Sequence, residues 1–76
     1  MKTFKPGQIW RNPRRPTWAY DPISDNGFFI LYQNIFMILK YFPREDRKKS
    51  IINILINNKT GIIYGPESCN FELIYE

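Results

Sequence analysis

The sequence predicts a single all-β domain over residues 1–76, a small barrel of five or six short antiparallel strands. Its apolar residues include twelve Ile, six Phe and five Tyr but no Val and one Ala, a choice that favours strands over helices. Six Pro and four Gly divide these residues into short runs separated by turns. A chain of 76 residues builds one hydrophobic core, so we expect no second domain.

Prolines shape the first part of the chain. Four of them lie between residues 6 and 22, and each blocks a helix and favours extended backbone in the residue before it. We therefore predict a first strand over residues 7–11 and a second extended piece over residues 17–20. The segment between them, residues 11–16, is predicted to be a rigid basic loop.

Residues 28–42 fit two structures. The preceding turn, residues 24–27, ends in Asn26-Gly27, a strong hairpin signal that predicts a strand directly after it. Apolar residues at positions 28, 31, 32, 35, 39 and 42 also fit one face of a helix. Phe, Ile and Tyr favour pleated strands, so we predict strands over residues 28–32 and 36–42 with a turn at Gln33 and Asn34. A single helix is the alternative.

The second half of the chain predicts a hairpin and a closing strand. Residues 50–57 and 62–64 are apolar runs on either side of a predicted turn at residues 58–61. Residues 71–75 are predicted to form a closing strand, or a turn followed by a strand. Residues 43–49 form a charged connection without an apolar anchor, which we place at the surface.

Large aromatic side chains are expected to build most of the core. Trp10 follows Ile9, so one of the two must face inward. We also assign four aromatic residues of the central strands to the core. They are Tyr32, Phe36, Tyr41 and Phe42.

Missing residue types exclude several kinds of chemistry. The chain has no His and one Cys. It therefore cannot form a His-containing catalytic triad, a catalytic Cys–His pair or a zinc site with four Cys or His ligands. The carboxylates that remain for acid–base catalysis lie in predicted turns, at Asp21, Asp25, Glu45 and Asp46. We therefore expect a protein that is not an enzyme and that uses neither a cofactor nor a metal.

The sequence also indicates a cellular location. A lone thiol, Cys69, fits a reducing compartment, which favours the cytoplasm. The first residues lack the apolar core of a signal peptide. The longest apolar stretch covers 15 residues, 28–42, with three polar interruptions, whereas a bilayer span needs about 20. We expect neither secretion nor insertion into a membrane.

Two segments carry a resemblance to a known fold family. They are residues 5–10, Lys-Pro-Gly-Gln-Ile-Trp, and residues 70–74, Asn-Phe-Glu-Leu-Ile. With a Pro-Gly turn before the first strand and short strands after it, the chain resembles small SH3-like barrels of the KOW type, and its opening and ending are similar to those of phage-encoded proteins. Later Gly residues of a KOW motif are absent, so the resemblance implies the fold and not the family's ribosomal or transcriptional role.

Charge is distributed unevenly along the chain, which carries a net charge of +4. Residues 1–20 hold five bases and no acid, residues 40–49 hold five bases against two acids, and residues 60–76 hold three acids and no base. Arg side chains beside aromatic rings suit phosphates and unstacked bases. The candidate binding residues are Arg11, Arg14, Arg15, Trp18, Tyr20, Arg47, Lys48 and Lys49. They form one positive patch provided that both basic segments lie at the same end of the barrel.

These residues favour a basic binding module that docks on nucleic acid or on a host machine that handles nucleic acid. Solvated loops that keep a small apolar domain soluble are the plainer interpretation, and a protein partner with an acidic surface is another. The alternative function is a protein-directed inhibitor or adaptor. It would bind a host enzyme or immune protein through an apolar edge strand at residues 28–32, or self-associate through such an edge.

Overall fold

Close spacing of Pro and Gly leaves room only for short strands, and the computed structural model has seven of them within the residues it describes, 3–24 and 27–76. The strands are β1 (Ile9–Asn12), β2 (Thr17–Tyr20), β3 (Phe28–Leu31), β4 (Asn34–Phe42), β5 (Ile51–Ile56), β6 (Lys59–Tyr64) and β7 (Glu72–Tyr75). Two single-turn 3₁₀ helices, η1 (Arg47–Lys49) and η2 (Pro66–Ser68), lie in the connections. The predicted all-β class is confirmed.

All pairings are antiparallel, in the order β3-β2-β6-β5-β4-β1-β7. The strand count of five or six was too low, because the short pieces at both ends of the chain form complete strands. Residues 28–42 are two strands, so the helical alternative is wrong. β3 and β4 follow each other in the chain without pairing, and β3 forms one edge of the sheet.

Two predicted turns have different outcomes. The turn after β5 is not at residues 58–61 but at Asn57 and Asn58, which both have positive φ angles of 49° and 64°. Asn tolerates this left-handed backbone, so a two-residue turn suffices and β6 begins at Lys59. The turn predicted at residues 24–27 includes Asp25 and Asn26, which, like Met1 and Lys2, lie outside the described residues.

The core lies inside the curled sheet and contains eleven buried apolar side chains among the described residues. They are Phe4, Trp10, Ala19, Leu31, Phe36, Ile38, Ile52, Ile54, Ile56, Ile63 and Phe71. Cys69 is half-buried and packs against them. Trp10 is therefore the inward member of the Ile9–Trp10 pair, as the sequence allowed.

Two of the aromatic residues assigned to the core are in fact exposed. A bulge between Ile38 and Lys40 adds one residue to β4 and reverses the alternation that follows. Tyr41 consequently packs against the core, whereas Phe42 faces outward and is 43% exposed. Tyr32 follows the inward Leu31 and is 48% exposed, because successive residues point to opposite faces.

Asn12 joins distant parts of the sheet. Four strands separate β1 from β3, which in a flat sheet would place them about 24 Å apart. The buried Asn12 side chain nevertheless donates from Nδ2 to the Leu31 carbonyl oxygen at 2.7 Å and to Thr17 Oγ1 at 3.2 Å. The sheet therefore curls so strongly that the end of β1 meets the β2–β3 hairpin.

Removing the Asn12 amide should loosen this junction. We expect Asn12→Ala to lower the free energy of unfolding by about 1–3 kcal/mol, because a buried carbonyl loses its donor. The exposed Asn70→Ala serves as the control and should change it by less than about 0.5 kcal/mol. Urea unfolding followed by Trp fluorescence measures both. An equal, small effect of the two substitutions would contradict the role of Asn12.

Candidate functional site

The two basic segments do not lie together. Asn12 pairs with Asn34 at the start of β4, so the loop of residues 13–16 leaves the sheet at that end. Phe42, at the other end of β4, pairs with Ile51, and η1 lies in the connection between them. A nine-residue strand is about 30 Å long. The condition for one positive patch, that both basic segments lie at the same end of the barrel, is therefore not met, since they flank opposite ends of β4.

Glu72 of β7 offsets part of the positive charge of the first basic segment. The Arg11 guanidinium lies 3.9 Å from Glu72 Oε2, and both side chains are about half exposed. Arg14 borders a shallow cavity of about 220 Å³ that Glu72 also lines. Exposed ion pairs contribute only about 0–1 kcal/mol, but they reduce the charge presented to a phosphate. Arg15 is exposed.

The second basic segment is a surface turn. Arg47, Lys48 and Lys49 are exposed, and Asp46 caps η1 by accepting a hydrogen bond from the Lys48 backbone N–H at 3.1 Å. η1 packs beside η2, where the Arg47 carbonyl oxygen lies near Gly65. These cations sit in a solvated connection with its own acid, the arrangement expected of a charged surface loop.

Trp18 and Tyr20 belong to an apolar surface on the β2–β3 hairpin. Alternation along both strands places Trp18, Tyr20, Phe28 and Ile30, here called the edge patch, on the outer face. Trp18 is 62%, Phe28 60% and Ile30 52% exposed. The Phe28 ring meets those of Trp18 and Tyr20 edge-on, with centroids 6.1 and 5.6 Å apart. Contiguous exposed apolar side chains of this kind mark interaction surfaces.

The hydrogen-bond pattern shows which backbone groups of β3 face away from β2. Asp21 N–H donates to the Gly27 carbonyl oxygen, so this pair is hydrogen-bonded. Pairs in an antiparallel ladder alternate, and Phe28 and Ile30, opposite Tyr20 and Trp18, therefore occupy non-hydrogen-bonded positions. Their N–H and C=O groups point to the free edge, where no strand of the described chain pairs with them.

A cavity of about 280 Å³ lies against this same edge. Phe29, Ile30 and Leu31 line it, although neighbouring side chains point to opposite faces of the strand. No residue of β2 lines the cavity, so we place it on the side of β3 that faces away from β2. The far wall consists of Asn34 together with Ile56, Asn57 and Lys59.

Lys59 is a functional candidate that the sequence did not reveal. Its Nζ lies 4.7 Å from the centroid of the Phe29 ring. That ring packs closely over Gly61 of β6, where an added Cβ would come within 2.7 Å of Phe29 Cζ. Because Gly61 has no side chain, β3 can approach the β5–β6 turn closely. Only the three-dimensional packing, and no spacing in the sequence, brings Lys59 to β3.

Glu67 makes a structural contact with Tyr41. The hydroxyl of Tyr41 donates to Glu67 Oε2 at 2.5 Å. Burial and this hydrogen bond raise the pKa of Tyr41 from 10.0 to about 12. Burial opposes ionisation of Glu67, but the Tyr41 hydrogen bond and the nearby Arg47 outweigh it and lower the pKa of Glu67. The pair ties η2 to β4.

The candidate carboxylates at Asp21 and Asp46 make local hydrogen bonds with the backbone. Asp21 Oδ1 accepts from the Ile23 N–H at 3.0 Å within a turn, and Asp46 caps η1. Glu45 is exposed, and Asp25 lies outside the described residues. Within residues 3–24 and 27–76, no three His, Cys, Asp or Glu side chains are grouped so that they could hold a metal ion.

Comparisons with protein-family models, with curated proteins and with solved structures give no match to this chain. The described part of the chain contains no helix of the length and apolar character needed to cross a membrane.

The Tyr41–Glu67 pair predicts a pH dependence. Folding raises the pKa of Tyr41, so its contribution to stability is complete below about pH 10 and is lost as the pH rises toward about 12. We expect Tyr41→Phe to make the free energy of unfolding fall less steeply across this range than in the unmodified chain. The control is Tyr64→Phe, at an exposed tyrosine of β6, which should leave the decline unchanged. Urea unfolding at a series of pH values measures it, and identical slopes for the two variants would contradict the assignment.

Proposed function

We propose that the chain is a non-enzymatic binding module that engages a partner protein through the free edge of β3. The observation that carries this proposal is the pair of outward backbone positions, Phe28 and Ile30, on a strand that has no neighbour at that side within residues 3–24 and 27–76. An extended segment of another protein can pair with such an edge through main-chain hydrogen bonds. The edge patch beside it supplies apolar contact area.

The two edges of the sheet differ in a way that supports β3 as the functional one. Proteins commonly protect an edge strand from unwanted pairing by placing charged side chains on it. The β7 edge carries Glu72, and Glu76 follows it. The four residues of β3 are Phe, Phe, Ile and Leu, without any charge. An unprotected apolar edge suits a strand that is kept available for a partner.

For the architecture, we propose an SH3-like barrel. Three features support it. Strands β4, β5 and β6 form a consecutive antiparallel meander, and β1 lies between β4 and the last strand, β7. A 3₁₀ turn, η2, precedes that last strand. The Asn12 hydrogen bonds draw β1 toward β3. The resemblance of residues 5–10 and 70–74 supports a phage-encoded protein that acts in the host cytoplasm on a host enzyme or immune protein.

Nucleic-acid binding is the second candidate. It is favoured by the exposed Arg14 and Arg15, which directly precede β2 and its exposed Trp18. It ranks second because η1 lies at the other end of β4 and because Glu72 lies beside Arg11 and Arg14.

A site-specific crosslink tests the leading proposal. Benzoylphenylalanine introduced at Phe28 should, on illumination of cells that make the protein, give a discrete adduct that protease digests and nuclease does not. Ile30→Pro should abolish the adduct, because Pro removes the outward N–H, whereas Ile30→Thr should retain it. The same label at Ile35, exposed on β4, is the control and should not give this adduct. Circular dichroism confirms that Ile30→Pro is folded. An adduct that survives Ile30→Pro would contradict docking at the β3 edge.

Salt dependence tests the second candidate. If nucleic acid is the partner, the anisotropy of a labelled single-stranded DNA should rise with added protein at low salt, and affinity should fall steeply as salt increases. The double variant Arg14→Glu, Arg15→Glu should abolish this binding, while Arg47→Glu, Lys48→Glu, with the same change of charge at the other end of β4, should retain most of it. Absence of binding at low salt, or equal losses in both variants, would exclude the Arg14–Trp18 surface as a nucleic-acid site.

A further inference from the structure

The cavity beside β3 has the size and the chemistry of a subsite for part of a bound strand. Its volume of about 280 Å³ is smaller than the roughly 300–1,000 Å³ of pockets that enclose drug-sized ligands. That space suits one side chain or a chain end. Because the cavity borders the free edge along residues 29–31, a strand paired there would bring its own end or side chain into it.

The side chains that line the cavity include hydrogen-bond donors and no acid. Lys59 contributes an ammonium group, and the one ion pair found among the described residues, Arg11–Glu72, does not involve it. Asn34 Oδ1 accepts from the Tyr32 N–H at 2.6 Å, which leaves the amide N–H groups of Asn34 to donate elsewhere. Asn57, on the turn opposite β3, adds a second amide. The cavity thus offers a positive charge and hydrogen-bond donors without an acidic partner.

We propose that this cavity binds a carboxylate carried by the strand that pairs with β3, with Lys59 as its ion-pair partner. The proposal rests on the proposed function and names the partner's chemistry, an extended apolar segment that carries an acidic side chain or ends in a free carboxyl group. Charge complementarity supports it, because Lys59 lies at the cavity while the residues of β3 itself are uncharged. A charge-assisted hydrogen bond of this kind adds to the main-chain pairing and fixes its register.

Three acetylated peptides separate the two sources of the carboxylate. The first is Thr-Val-Thr-Val-Asp with an amidated end, the second is Thr-Val-Thr-Val with a free carboxyl end, and the third is Thr-Val-Thr-Val-Asn with an amidated end. Titrated into isotope-labelled full-length protein, all three should shift the backbone amides of Phe28 and Ile30. The peptide whose carboxylate reaches the cavity should bind with a Kd about tenfold lower than that of the third, neutral peptide. The peptide that shows this gain identifies a side chain or a chain terminus as the source.

Substitution of Lys59 tests its role. Lys59→Gln should remove the tenfold gain and leave the neutral peptide's Kd unchanged, and Lys59→Arg should restore most of the gain. The control is Lys40→Gln, which makes the same change of charge at an exposed position of β4 outside the cavity and should preserve the gain. Equal Kd values for the three peptides, or an equal gain in Lys59→Gln, would overturn the carboxylate site while leaving edge pairing intact.

Acetate alone tests the cavity without edge pairing. Sodium acetate, compared with sodium chloride at the same ionic strength, should shift the amide signals of Asn34, Asn57 and Lys59 in the unmodified protein and not in Lys59→Gln. Acetate shifts without any peptide binding at Phe28 and Ile30 would retain the carboxylate site and contradict the proposed function. Peptide binding without acetate shifts, and without a lower Kd for the carboxylate peptides, would retain the proposed function and contradict the carboxylate site.

Discussion

Hydrogen bonds of the buried Asn12 side chain bring the two distant parts of the sheet together, and the position of β3 depends on them. Four strands lie between β1 and β3 in the sheet order, yet Asn12 Nδ2 donates to both Leu31 and Thr17. The ladder alone joins the β2–β3 hairpin to the remainder of the sheet at a single register pair, Tyr20 with Ile62. The Gln33 N–H also donates to the Asn12 carbonyl oxygen at 2.6 Å, and the buried Ala19 and Leu31 pack into the core, so the Asn12 amide acts together with these contacts.

A firmly held hairpin with an open edge explains why so many large apolar side chains remain exposed. Ala19 and Leu31 face the core, so alternation forces Trp18 and Ile30 to the outside. A small curled sheet has one interior, and these outward residues have no second layer to cover them. The same hairpin presents the outward backbone groups of Phe28 and Ile30, so apolar area and unpaired hydrogen-bonding groups occur at one place.

Local signals in the sequence were enough for the class of fold and for most of the strands. Pro and Gly positions and the choice of Ile, Phe and Tyr predicted the all-β class and the division of residues 28–42 into two strands. The bulge and the two-residue turn were not predicted, because both depend on the register of the paired strands. The bulge near Leu39 turned Phe42 outward, and Asn57-Asn58 made a shorter turn than expected.

The candidate site was harder to predict because it depends on long-range topology. Charge runs in the sequence say nothing about which ends of which strands they flank, and β4 separates the two basic segments. Trp18, a candidate binding residue from the sequence, is 62% exposed. Lys59 is 30 residues from Phe29 in the chain and meets it only in the folded sheet.

Amide hydrogen exchange tests most directly whether the edge of β3 is free. In the isolated protein, the amides of Phe28 and Ile30 should exchange rapidly, while those of Phe29 and Leu31, which face β2, should be protected. Slow exchange at Phe28 and Ile30 that does not change on dilution would show that another part of the same chain covers this edge, so that β3 has no free edge for a partner.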